Sequence, residues 1–351
     1  MTPAVPMLRR VLRALPRPTF GPFAGHRARV LARRVAPAAL QRLDGAGGWR
    51  LGDPFAGRGD TCVFAVHGRT GDAADAGALL KAADSRQGRH QLDRQVAVLA
   101  ALHADARLGP WARLLPRTLC AGEVDGVGFV VESRLPGTDP RGLPAADRGA
   151  VVPRALAAIG ELAARTGAVA PVDAATLGRW VHAPAARVRA VVRGRHRAAL
   201  DGLAAELDAG LAGRAVARGW THGDYNRTNV LLVPAGAGTD DGPAVTGVVD
   251  WPEGEPDGLV GADAVTLLLF EEVLGGRELG PVLLDRLADP GPVDDAVGRL
   301  RDPVGGDALP VRTLLLLGWL RHVGGNLADS TRYAANPVWM HRNVRTVLAG
   351  I

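Results

Sequence analysis

Residues 222–229 read His-Gly-Asp-Tyr-Asn-Arg-Thr-Asn, and a second acid, Asp250, follows an apolar run from Val245 to Val249. An aspartate five positions ahead of an asparagine, with a further aspartate closing a strand, is the set of groups that phosphoryl transfer asks of a protein. Asp224 would orient a hydroxyl nucleophile. Asn229 and Asp250 would supply oxygen ligands for magnesium. A tight loop can bring Asp224 to an acceptor and, five residues on, turn Asn229 toward a metal. Neither a helix nor a straight strand does both.

The flanking residues read as elements able to hold such a loop. Ala215 to Trp220 lead in, and Val230-Leu231-Leu232-Val233 lead out as a short strand. Pro234 to Pro243 is a Gly/Asp-rich turn before the strand that ends at Asp250. A polar turn with His222 and Asp224 capping something local is the plainer account of the same residues.

Composition singles out another residue. The chain has 41 arginines and a single lysine, Lys81. An ammonium is a compact point charge that fits between the oxygens of two phosphates, whereas a guanidinium is a planar fork. Lys81 follows Ala78-Leu79-Leu80, a run that reads as a strand, and an inward-facing strand lysine is where kinase-like folds hold nucleotide phosphates. A chance survivor on the surface is the alternative.

Together these residues resemble the aminoglycoside phosphotransferase and choline kinase-like family, whose loop carries His-Gly-Asp where protein kinases carry His-Arg-Asp. The resemblance runs from about residue 48 to 270. It implies an α+β, two-lobed protein-kinase-like fold, with a small β-rich N-lobe and a larger, mainly helical C-lobe. The division expected is an Arg-rich arm over residues 1–43, a nucleotide-binding N-lobe over 44–135, and a catalytic and acceptor-binding C-lobe over 136–351. It further implies ATP and Mg2+ as cofactors, Asp224 at the catalytic base position, and Asn229 and Asp250 as magnesium ligands. Asp263 resembles the structural aspartate at the start of the next helix, and an N-terminal helix cap accounts for it equally well.

Other nucleotide-site positions follow the resemblance less closely. Gln95, in Leu92 to Leu99, stands where a helix glutamate that pairs with the lysine is expected. Asp93 is the substitute if the register shifts by half a turn. Gly57 and Gly59, before the strand-like Thr61 to Val66, could let backbone amides approach phosphate, and a plain hairpin turn explains them as well. Asp125-Gly126 is a two-residue hairpin turn. Beyond it, Glu132 precedes and Leu135 lies within Ser133 to Gly137, which resembles the hinge where backbone groups meet adenine.

A chain of 351 residues with 47% hydrophobic residues is long enough for two lobes around sizeable cores. No apolar run has membrane-spanning length, and no secretory h-region opens the sequence. Cys62 and Cys120 sit in apolar runs and read as buried free thiols, which places the expected protein in a reducing cytoplasm. There is no zinc-type Cys/His spacing and no long repeat. The net charge of +6 is uneven: residues 1–43 hold nine arginines and no acid, and the remainder has a net charge of −3. Met7 to Leu15 could form a basic amphipathic helix for peripheral contact with a membrane or an acidic partner, and an arm packed beside the small lobe is the plainer reading. Nucleic acid is not expected, because the arm lacks interleaved aromatics.

After residue 137 the chain reads as helical, with Val151 to Arg165, Ala185 to Leu211, Ala264 to Leu274 and Thr313 to Leu327 at helical spacing. Trp319, His322, Asn326, Tyr333, Asn336, Trp339, His341 and Asn343 read either as a pocket for a hydroxylated acceptor or as ordinary core packing. The expected activity is ATP-dependent O-phosphotransfer to a small hydroxylated molecule: a sugar, an amino sugar, an antibiotic or an amino alcohol. For a polycationic acceptor, Glu253, Glu255, Asp257, Glu271 and Glu272 are the candidate acids. A pseudokinase that binds nucleotide and docks through its basic arm is the alternative, favoured by Gln95 and opposed by the intact Asp224, Asn229 and Asp250. A protein kinase is a weaker option, since no Asp-Phe-Gly or Ala-Pro-Glu segment follows.

Overall fold

The computed structural model describes residues 23–43, 48–55, 60–68, 77–236 and 242–351. Gly57 and Gly59 lie outside the described residues, as does the segment Met7 to Leu15. The chain forms two compact units, one comprising residues up to Asp93 together with Thr118–Arg134, the other Arg94–Arg117 together with Leu135–Ile351.

The first unit contains helix α1 (Phe23–Leu43), strands β1 (Arg50–Phe55), β2 (Cys62–His67) and β3 (Ala78–Ala83), the start of helix α2 (Arg86–Ala104), and strands β4 (Thr118–Val124) and β5 (Val127–Ser133). The strands make one antiparallel sheet in the order β1-β2-β3-β5-β4. Asp125 and Gly126 close the β4–β5 hairpin at φ 49° and 77°, the twist that suits a two-residue connection. Register sorts the side chains. Phe64 opposes Leu80 and Leu80 opposes Val131, while Ala82 opposes Phe129, so all lie on one face. Leu31, Val35 and Ala39 of α1, at helical spacing, join that face in a single apolar core.

The second half of the Arg-rich arm packs on the small sheet: its apolar stripe is buried, Arg27 donates to the Asp60 carbonyl, and Arg42 donates to the Ala121 carbonyl and lies over the Phe129 ring. Residues 94–117 in turn group with the second unit instead of with the strands on either side.

The second unit adds α3 (Val151–Thr166), β6 (Ala168–Pro171), α4 (Ala183–Val191), α5 (Arg195–Leu211), β7 (Ala215–Thr221), β8 (Val230–Val233), β9 (Ala244–Val248), β10 (Glu255–Leu259), α6 (Ala262–Leu274), α7 (Leu279–Ala288), α8 (Gly291–Arg301) and α9 (Val311–Asp329). The strands form a sheet of order β10-β7-β6 and a β8–β9 hairpin. The helix expected over Ala185 to Leu211 is two helices. The chain leaves helical geometry at Val192 and turns through Gly194 at φ 55°, a conformation that glycine adopts without a Cβ penalty. Leu314 to Leu317, Trp319, Leu320 and Val323 of α9 are buried in the helical core with Trp180 and Leu207. Among the described residues, no helix is long and apolar enough to cross a membrane. Cys62 and Cys120 are free thiols, half-buried rather than buried.

Candidate active site

Strand β7 delivers the chain into a loop held by backbone hydrogen bonds. The Asp263 carboxylate accepts from the amides of His222, at 2.6 Å, and Gly223, at 3.0 Å. Asp263 is buried in the first turn of α6, whose N-cap position is occupied by Gly261 with no side-chain capping bond. The residue therefore anchors the preceding loop and does not cap its own helix. Burial raises its pKa, an effect opposed by His222 and the two donated amides.

His222 is fully buried and fixed at both ring nitrogens. Nε2 donates to the Val249 carbonyl at 2.9 Å, and Nδ1 accepts from the Asp224 amide at 3.3 Å. Those two bonds require the neutral Nε2–H tautomer. The ring packs 4.5 Å from Trp251 and 5.7 Å from Tyr225, and the Tyr225 hydroxyl donates to the Ala155 carbonyl at 2.9 Å. His222 thus ties the loop to the end of β9 and braces it. At Gly223, with φ 83°, a Cβ would lie 2.4 Å from the Glu253 carbonyl oxygen, so only glycine fits.

The next turn positions Asn229. Asn226 Oδ1 accepts from the Thr228 amide at 3.0 Å and from the Thr228 hydroxyl at 2.6 Å, which folds the chain back. The Asn229 side-chain amide then donates to the Asp224 carbonyl at 2.9 Å, and the Asn229 carbonyl accepts from the Val249 amide at 2.9 Å. Asp224, Asn229 and the end of β9 are thereby one hydrogen-bonded assembly. Asn229 Oδ1 is the atom of that side chain with metal-ligand chemistry.

Asp250 is exposed and adopts φ 70°, one of two non-glycine residues with positive φ among those described. Such a conformation is sustained only where the surroundings impose it. The next residue, Trp251, does so: it is fully buried, its Nε1 donates to the Val248 carbonyl at 2.8 Å, and it meets Trp111 edge-on at 6.1 Å. Burial, then the charges of Asp250 and Glu253, push the Asp224 carboxyl up to about 7. A cation beside Asp250 would relieve that crowding. Among the described residues, no three His, Cys, Asp or Glu side chains could together hold a metal. A site with two protein ligands suits magnesium, which keeps waters and phosphate oxygens as its other ligands.

In the first unit, Lys81 and Glu132 form a buried ion pair, Nζ to Oε2 3.3 Å. Lys81 opposes Val130 and Glu132 opposes Leu79, so the two are diagonal neighbours on the sheet face opposite the α1 core. The resemblance put Gln95 at the helix position whose glutamate would pair with the lysine, with Asp93 as the substitute, and Glu132 just ahead of the hinge. The carboxylate that Lys81 meets belongs to strand β5. Gln95 is buried in the middle of α2. Leu135 is half-buried against Gly247, and beyond it Thr138 exchanges two 2.9 Å backbone hydrogen bonds with Leu232.

The five acids proposed for a cationic acceptor are all ion-paired. Glu253 meets Arg94 at 3.4 Å, Glu255 meets Arg321 at 3.0 Å, and Glu271 meets Arg227 at 3.0 Å. Asp257 pairs with Arg179 at 3.1 Å and with Arg218, and Glu272 with Arg286 at 2.7 Å and with Arg277. Several of the polar-aromatic residues have structural roles. Trp319 Nε1 donates to the Asn343 carbonyl at 2.8 Å, Asn343 Oδ1 accepts from the Leu279 amide at 3.0 Å, and Asn336 caps a short helix by accepting from Val338 and Trp339.

A strand lysine paired to a carboxylate, a His-Gly-Asp loop and a strand-terminal aspartate on a two-lobed, protein-kinase-like α+β fold define a phosphotransferase of the kinase-like class. The chain belongs to the Phosphotransferase enzyme family (APH), which it matches over residues 54–294. No curated protein sequence matches it. Among solved structures it is similar to aminoglycoside phosphotransferase APH(4)-Ia at 17% identity, covering 91% of this chain and 99% of that chain with a TM-score of 0.55. A thermostable mutant of that enzyme, in ternary complex with AMP-PNP and hygromycin B, matches at 17% identity over 86% of this chain and 95% of that chain, TM-score 0.53. At these identities the likeness establishes the fold.

Proposed function

We propose that the chain is an ATP-dependent O-phosphotransferase that moves the γ-phosphoryl group to a hydroxyl of a small molecule. The observation that carries this reading is the single assembly of Asp224, Asn229 and the β9 end, tied by the Asn229-to-Asp224 and Val249-to-Asn229 hydrogen bonds. Family membership supports it, as does the nucleotide analogue in the similar structure.

In this reading Asp224 accepts the hydroxyl proton as the acceptor oxygen bonds to phosphorus and the bond to the β-phosphate oxygen breaks, releasing ADP. Its raised pKa keeps it a competent base near neutral pH. Lys81, held by Glu132, neutralises charge on the phosphates. Asn229 and Asp250 hold magnesium, which when bound neutralises the charge that builds on the phosphoryl oxygens. His222 and Asp263 fix the loop and take no proton.

The test is magnesium-dependent ADP release across a panel of hydroxylated acceptors, with thermal shifts by ATP as a parallel readout. ADP formation that needs both an acceptor and magnesium supports the reading. An ATP shift with no turnover on any acceptor would instead indicate a nucleotide binder without chemistry.

A further inference from the structure

A polycationic acceptor needs carboxylates able to turn toward its ammonium groups, and complementary charge is what selects such a ligand. The glutamates that flank the catalytic loop already face guanidiniums, Glu271 through one of its two oxygens. Glu253 borders the loop: its backbone carbonyl excludes a side chain at position 223, and its charge acts on Asp224. Its carboxylate faces Arg94. Glu271 pairs with Arg227, a member of the loop two residues before Asn229. Glu255 pairs with Arg321, whose charge also reaches Asp263, the loop's anchor.

The pattern continues outward, where Asp257 lies between Arg179 and Arg218, and Glu272 between Arg277 and Arg286. Five carboxylates meet seven guanidiniums, so each of these five acids already faces at least one guanidinium that a polycation would have to displace. Two of the three innermost pairs are partly withdrawn from solvent, with side-chain exposures of 19% for Arg321 and 23% for Glu271, while Arg94–Glu253 is more open at 39% and 35%. Water and salt screen such pairs less than exposed ones.

The geometry points to an acceptor that carries hydroxyls but no ammonium groups, with the Arg94–Glu253, Arg227–Glu271 and Arg321–Glu255 pairs excluding polycations from the catalytic loop. This rests on the phosphotransferase reading and narrows its substrate class. A substrate ammonium would have to displace a guanidinium already seated on its carboxylate, and would then stand beside the displaced charge.

The experiment compares binding of kanamycin A with that of its fully N-acetylated derivative, which keeps the hydroxyls and loses the charges, to the full chain with magnesium and ADP. The wild type should bind the polycation no more tightly than the acetylated form. The combined variant Arg94→Gln, Arg227→Gln, Arg321→Gln should gain about tenfold affinity for kanamycin A, lost again at high salt. Tight, salt-sensitive binding of kanamycin A to the wild type would overturn the proposal, as would an unchanged affinity in a variant that melts like the wild type. Should the triple variant not fold, the wild-type comparison decides alone. Failure of ATP to bind would sink the phosphotransferase reading and leave the kanamycin comparison standing.

Discussion

Lys81 and Glu132 face each other across adjacent antiparallel strands, Nζ to Oε2 3.3 Å, both withdrawn from solvent. The pair joins the only lysine of the chain to a carboxylate on a sheet rather than on a helix. A strand partner is more rigid than a helix partner, since the β3–β5 register sets the separation. Lys81→Arg is therefore expected to lose nearly as much kcat/KM for ATP as Lys81→Ala, because a planar fork cannot occupy a space shaped for a compact ammonium. Wild-type turnover by Lys81→Arg would make the buried pair structural and remove Lys81 from the phosphate site.

Glu132→Gln should raise KM for ATP more than it lowers kcat, since the amide keeps the shape but not the charge that orients Lys81. Gln95→Glu tests the alternative helix partner. If Gln95→Glu restores the Glu132→Gln variant to wild-type KM, the helix position and the strand position are interchangeable, and the strand register does not decide the geometry.

Much of this was legible because it is local. The His-Gly-Asp loop, its strand context and Asp250 lie within one short stretch, and backbone sterics over such distances follow residue type. Glu132 was not legible as the partner of Lys81, because that contact depends on strand register across 51 positions. Asp263 read equally as a cap or an anchor, and only the positions of the His222 and Gly223 amides distinguish them. Helix α1 was obscured by its arginines, although Leu31, Val35 and Ala39 already had the spacing of a buried stripe. The break at Gly194 was masked by apolar periodicity on both sides.

Asp250→Asn should abolish ATP turnover and remove most of the magnesium-dependent part of the ATP thermal shift, because a ligand that binds only the native state stabilises it by mass action. Equal shifts with and without magnesium, in wild type and variant alike, would remove Asp250 from the metal site.

Asp263→Ala leaves the buried His222 amide and the partly buried Gly223 amide without their acceptor. The expected loss is about 3 kcal/mol of stability, since each unsatisfied buried group costs roughly 1–3 kcal/mol. Turnover should fall further than stability explains, as the loop carrying Asp224 loosens. Denaturant melts beside single-turnover rates separate the two effects. A variant as stable and as active as the wild type would mean that the loop is held elsewhere.

Asp224 and His322 should give the metal-free protein opposing pH dependences. The Asp224 carboxyl is pushed up to about 7 in the folded protein, above the ordinary carboxylate range, so the folded state holds the proton more tightly. Its contribution to stability is fully present below about pH 4 and is lost as pH rises through about 7. His322, desolvated under the Phe270 ring and accepting from Asn326 at 2.8 Å, is lowered from 6.5 to about 4. Its contribution is present above about pH 6.5 and is lost as pH falls through about 4. The two shifts are comparable in size and opposite in sign, so between these limits they offset each other in the wild type. Asp224→Asn should uncover a Tm that rises with pH, and His322→Gln a Tm that falls. Thermal melts across that window in chelator check both slopes. Parallel curves for the wild type and either variant would show that the residue changed does not carry the proton assigned to it.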